Sequence, residues 1–267
     1  MTDCPVMDVK RYRKPPLTER VVSLGFSMDE ENFQTKLDSW TAIMRQAFPE
    51  SEIHTQWEIQ VAEKNGMPYI PKDKQKITTK YQFWQRKGPQ KDRCIQVWRD
   101  RISFNLLSPI GDPRSYQDLQ ALYAEWCPKW ADHFSVRSVS GVNLEYVNIL
   151  SKETVPSFCQ ASRINIGEIL TAFCAPGPLK NLIPPFKFQF NFDASTQDFP
   201  MHVRVALTNQ KTEEISLRLL FRAATEKPGR EVSLDAIPLE MDTAHSIILA
   251  EFDAFFTEKA KTSFEPV

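Results

Sequence analysis

"CIQVWRDRISFNLLSPIGDPRSYQDLQALYAEW", residues 94–126, holds two strand-like runs, a charged break and a helix start in succession. In "ISFNLL" Ile102, Phe104 and Leu106 fall on one face, Ser103 and Asn105 on the other, the period of a half-buried strand. "RCIQVWR" before it is a second strand, so Arg99, Asp100 and Arg101 read as the polar corner of an antiparallel pair. A functional reading of the corner also stands. Trp98 precedes it and a basic run ends at it, which suits contact with a phosphate or an acidic partner. From Ser115 the spacing of Tyr116, Leu119, Tyr123, Trp126, Trp130 and Phe134 predicts a helix, with Ser115 and Asp118 as a capping box. Pro128 is expected to kink or split it, having no amide hydrogen to donate.

Upstream, "TERVVSLGF" alternates as a strand, with Val22, Leu24 and Phe26 on one side. A helix follows: Phe33, Leu37, Trp40, Met44 and Phe48 form one stripe, Asp29 or Ser27 caps its start and Pro49 stops it. "IHTQWEIQVA" and "TKYQFWQR" are further strands, separated by a Pro- and Lys-rich loop. Downstream, "GVNLEYVNIL" is a strand and "NIGEILTAFC" a short helix with Ile166, Ile169, Leu170 and Phe173 on one side. "FKFQFNFD" then sets Phe186, Phe188, Phe190 and Phe192 on a single face. "MHVRVALT" and "ISLRLLFRAA" continue the pattern, and a closing helix capped by Asp242 ends the chain.

The element order therefore repeats. After a basic tail (residues 1–14), two halves (15–135 and 136–267) each run strand, helix, antiparallel strands, helix, without residue-level identity. The fold class is α+β, a twisted antiparallel sheet with helices packed on one face, in the order of the TATA-binding-protein-like fold.

With 42% hydrophobic and 25% charged residues the chain has globular composition. No run is long and apolar enough for a membrane helix, and the N-terminus lacks a secretory core; a cytoplasmic protein is expected. Cys4, Cys94, Cys127, Cys159 and Cys174 include no C-x-x-C pair, which argues against a disulfide framework and a thiolate metal site. The net charge of -1 hides segregation: residues 72–101 hold ten Lys or Arg against three Asp, and residues 226–267 four Lys or Arg against nine Asp or Glu.

"KPPLTERVVSLGF", "IQVWRDRISFNLL", "LEYVNIL" and "AHSIILAEFDAFFTEKAKTSFEPV" resemble the recurring landmarks of a sporadically distributed family of uncharacterised prokaryotic proteins of about 260 residues. The resemblance implies a full-length member and brings no established activity. One departure is Leu106, where such segments often carry Trp after the Asn.

No G-x-S-x-G, H-E-x-x-H or glycine-rich phosphate loop is present. His54, His133, His202 and His245 lie far apart in sequence; His133 reads as a capping or surface residue. Cys127 reads as a packed thiol and Glu145 as a surface acid without a second carboxylate. No cofactor and no catalytic residue is expected. The positive signal is the polar sheet face, with Lys187, Gln189, Asn191, His202, Arg204, Ser216, Arg218 and Arg222 in the second half and Gln96, Ser103 and Asn105 in the first. The expected function is a non-enzymatic accessory module, of the kind found in a defence or CRISPR-type operon. It would dock another protein through Arg99, Asp100, Arg101, Lys187, Arg204, Arg218 and Arg222. The alternative is a nucleic-acid binder using the basic members of that face.

Overall fold

Alternation along the strands produces one continuous antiparallel sheet, of nine members among the described residues. A computed structural model describes residues 12–59, 62–64, 67–69, 75–87, 90–108, 115–160, 163–171, 189–193, 202–210, 216–225 and 231–266. In chain order the strands are β1 (Leu17–Gly25), β2 (Glu50–Ile59), β3 (Gln75–Lys87), β4 (Gln90–Val97), β5 (Arg101–Leu107), β6 (Gly141–Leu150), β7 (Gln189–Asp193), β8 (His202–Gln210) and β9 (Ser216–Ala224). Across the sheet they run β7-β8-β9-β6-β1-β5-β4-β3-β2. The middle is the β1–β6 pair, with Val22 opposite Leu144 and Leu24 opposite Val142, so strands from before and after residue 136 share one sheet.

One face of this α+β fold is oil. Val22, Phe104, Ile95 and Phe83 lie side by side across β1, β5, β4 and β3, and Leu144 and Ala223 extend the row on the other side; all are at most 1% exposed. Each large side chain buried this completely contributes about 1.5–3 kcal/mol. The helices lie on the same face: α1 (Glu30–Ala47), α2 (Tyr116–Phe134), the single turn α3 (Ile166–Ile169), α4 (Ile237–Phe255) and α5 (Glu258–Ser263). Phe26 meets Trp130 at 5.1 Å between ring centroids, Phe104 meets Tyr123 at 5.7 Å, and Phe221 meets Phe252 at 5.8 Å.

Local chemistry sets the helix ends. Asp29 Oδ1 accepts from the Asn32 amide at 2.9 Å and opens α1, and those hydrogen bonds hold its carboxyl below the usual range. Ser115 and Asp118 form the expected reciprocal box at the start of α2. Pro128 does not split that helix, which continues to Phe134. One lost hydrogen bond is outweighed by Trp126, Cys127, Trp130, Ala131 and Phe134, all buried around it.

Two helical expectations in the second half are corrected. Asp242 is not a cap: α4 already starts at Ile237, with Pro238 in its first turn, where a missing N–H costs nothing. Asp242 Oδ1 instead accepts from the Tyr116 hydroxyl at 2.9 Å and Gln120 Nε2 at 2.8 Å, tying α4 to α2. The closing helix also breaks after Phe255, and Thr257 caps α5 by accepting from the Ala260 amide at 3.1 Å. The helix expected over residues 165–174 is one turn in its described part. Phe173, Phe186 and Phe188 lie outside the described residues, as do the side chains of Phe190 and Phe192.

Candidate functional site on the open sheet face

Register arranges the reverse face in rows. From β3 to β9 one row reads Gln82, Gln96, Ser103, Ser23, Asn143 and Ala224, and the next Trp84, Cys94, Asn105, Val21, Glu145 and Arg222. Among the described residues no helix packs on this side. Two hydrogen-bonded groups meet at its centre. Ser103 Oγ donates to Asn105 Oδ1 and Asn105 Nδ2 donates to Glu19 Oε1, both at 2.8 Å. On the neighbouring strands Asn143 Nδ2 donates to Glu145 Oε1 at 2.8 Å, and Arg222 Nε donates to Asn143 Oδ1 at 2.8 Å and lies 3.7 Å from Glu145 Oε1.

Glu145 is thus not an isolated surface acid. Val21 pairs Glu145 while Glu19 pairs Val147, so the two carboxylates are diagonal neighbours on one face. Burial pushes the Glu19 carboxyl above its ordinary value; the Asn105 hydrogen bond and the Arg218 charge pull it down, and Glu145 pushes it up again.

The face is also less open at its middle than alternation alone implies. Cys94 is 0% exposed, Ser103 2%, Asn105 5% and Val21 7%. Small side chains are sunk between taller ones such as Gln96, Trp84 and Arg222. Burial pushes the Cys94 thiol up to about 12, so it stays protonated at neutral pH.

The charged corner divides between the two sides of the sheet. Trp98 N donates to the Arg101 carbonyl at 2.7 Å and closes the β4–β5 turn, while the Asp100 carbonyl accepts from the Phe26 amide at 3.0 Å. Arg99 pairs with Glu30 at 3.2 Å, at the start of α1. Arg101 stacks on Trp98, its guanidinium carbon 4.1 Å from the ring centroid, with Lys80 Nζ 6.0 Å from the same ring.

Of the expected partner-binding residues, Arg101, Arg218 and Arg222 therefore share the open face, and Arg99 leaves it. Arg204 enters by backbone register only, between Arg222 and Asp193. Lys187 lies outside the described residues, and the side chains of Gln189, Asn191 and His202 do as well. Lys80 and Glu19 join that face with no motif to mark them, beside Trp98, which the functional reading of the corner already includes. Alternation counted back from Val21 along "TERVV" places Glu19 there.

Groups with reactive potential do not converge. Cys127 sits in α2 among apolar side chains, its thiol pushed up by burial to about 11. His133 Nε2 donates to the Lys36 carbonyl at 2.8 Å and joins α2 to α1. Glu145 lies on the opposite side of the sheet from both. Among the described residues no three His, Cys, Asp or Glu gather as metal ligands, and no helix is long and apolar enough to cross a membrane. Comparison with known proteins finds no matching family model, no matching curated protein and no matching solved structure.

Proposed function

We propose that this chain is a non-enzymatic binding module that docks another protein on the open face of its sheet. The observation that carries the reading is the Trp98 corner: an aromatic ring flanked by Arg101 and Lys80, beside a surface where Arg222 already has a carboxylate partner. A half-buried Trp with an Arg stacked on it, next to pre-formed hydrogen bonds, is what the energetic centre of a protein interface is made of. A phosphate-tracking surface needs unpaired cations, and Glu19 and Glu145 offset Arg218 and Arg222, which favours a protein over a nucleic acid.

In this reading the chain is a cytoplasmic accessory protein of the prokaryotic family it resembles. The strand order supports two related halves, since β1-β5-β4-β3 on one side of the central pair is mirrored by β6-β9-β8-β7 on the other. That mirror order is also the ground for the TATA-binding-protein-like analogy.

Affinity purification of the tagged chain from its source cells tests the proposal. A stoichiometric protein partner is expected, lost in Trp98→Ala and Arg101→Glu and kept in Glu125→Lys on the outside of α2. Retention of nucleic acid that falls steeply with salt would favour the alternative.

A further inference from the structure

We propose that a second copy of this chain adds to the sheet at β2, pairing β2 with β2 antiparallel about a two-fold axis at Ile53. Among the described residues β2 is the last strand of the sheet, its backbone ladder running to β3 alone. Its register with β3 is unbroken from Glu50 to Ile59. Every residue from Ser51 to Gln56 is exposed, and Ile53 is 67% exposed, one of three large apolar side chains so placed among the described residues. Soluble proteins blunt such an edge with charged side chains, above all lysine, or with proline, a bulge or a short strand. Ser51–Gln56 has no lysine, proline or bulge, and its one carboxylate, Glu52, has His54 beside it at 3.2 Å.

The occupant follows from self-complementarity. A two-fold axis perpendicular to the sheet keeps both helical layers on one side and must pass through a residue position, because paired side chains share a face. Centred on Ile53, the pairing sets Ile53 on Ile53 of the copy, Glu52 on His54, Ser51 on Thr55 and Glu50 on Gln56. Each is an apolar or hydrogen-bonding match. Within one chain His54 Nε2 already lies 3.2 Å from Glu52 Oε2, so the four side chains of the dimer gather in one group. Centring on Glu52 sets the two Glu52 residues against each other. Centring on His54 or Thr55 sets Glu50 or Glu52 against Glu58, and centring on Gln56 gives up the exposed stretch for Glu58 and Ile59.

Cross-linking tests both the contact and its register. Facing residues of antiparallel strands lie about 4.5–5.5 Å apart at Cα, within disulfide reach. In a Cys4→Ser background, Ile53→Cys is expected to oxidise to a covalent dimer and Gln56→Cys to remain monomeric. Sedimentation equilibrium is expected to give twice the chain mass for the wild type at micromolar concentration and the chain mass for Ile53→Lys, with unchanged circular dichroism. A monomeric wild type, a dimer indifferent to Ile53→Lys, or a cross-link at position 56 instead of 53 overturns the proposal.

Discussion

Arg222 and Glu145 face each other across β9 and β6, 3.7 Å apart, with side chains 31% and 25% exposed. The pair sits on the face away from the helices, and Asn143 bridges it with bonds to both. A partly buried charge pair of this kind orders the surface more than it stabilises the fold. A double-mutant cycle of Arg222→Ala and Glu145→Ala is expected to return a coupling of about 0.5–1 kcal/mol in urea denaturation. Coupling indistinguishable from zero would mean the two groups are separately solvated.

Glu19 makes stability depend on pH in a set direction. Its carboxyl is raised above 4.5 in the folded chain, chiefly by burial, so between the unfolded and folded values the folded state holds more protons. Stability from this group is greatest when Glu19 is protonated and is lost as pH rises through the folded value. The stability difference between wild type and Glu19→Gln should therefore shift against the wild type from about pH 4 to neutrality. A difference that stays flat with pH, or shifts the other way, contradicts the burial of this carboxyl.

Two glycines on the central strands make a paired test. A Cβ at Gly141 would stand 2.6 Å from the Thr225 carbonyl oxygen, which belongs to the backbone; at Gly25 it would stand 2.7 Å from Ser140 Oγ, a hydroxyl able to rotate away. Gly141→Ala is expected to cost about 1–3 kcal/mol, and Gly25→Ala less. Thermal melting of both variants gives the order, and the reverse order would mean the Thr225 segment shifts freely.

In the core, Phe104 is fully buried on β5, edge-on to Tyr123 of α2. Phe104→Ala removes the ring from the layer between sheet and helices and should cost about 3–5 kcal/mol in chemical denaturation. A cost under 1 kcal/mol would mean that α2 does not pack on β5.

Much of the architecture was legible because one apolar face dictates it. The stripe of Phe33, Leu37, Trp40, Met44 and Phe48 is buried throughout, and Ile102, Phe104 and Leu106 point inward as the alternation requires. Short-range rules failed where tertiary contacts compete with them. Pro128 stays inside α2 because aromatic packing on both sides holds the turn. Asp242 resembled a cap because it precedes an apolar run, yet Ile237 and Met241 are already buried ahead of that run and extend the helix upstream.

The open face was legible in outline and not in its pairing. Period two placed Ser103, Asn105, Arg218 and Arg222 on the polar side, but which of them meet depends on the strand order β9-β6-β1-β5, which joins residues more than a hundred positions apart. Glu19 and Glu145 become neighbours only through that order. Arg20 shows the opposite limit. Alternation puts it on the apolar side, and it is indeed buried there, 9% exposed, its Nη1 donating to Ser108 Oγ at 3.2 Å and its guanidinium over the Tyr146 ring. Burial pulls its basicity down, as expected for a cation under a helical layer.

Site-specific photo-cross-linking asks most directly whether the uncovered face receives a protein. A photoreactive residue is placed at Gln96 or Trp98 on that face, and at Glu125 on the helical side, in cells that naturally contain the chain. Adducts to one protein from the first two positions and none from the third are the predicted result. Adducts to nucleic acid at Gln96 and Trp98, or protein adducts from Glu125 alone, would contradict it.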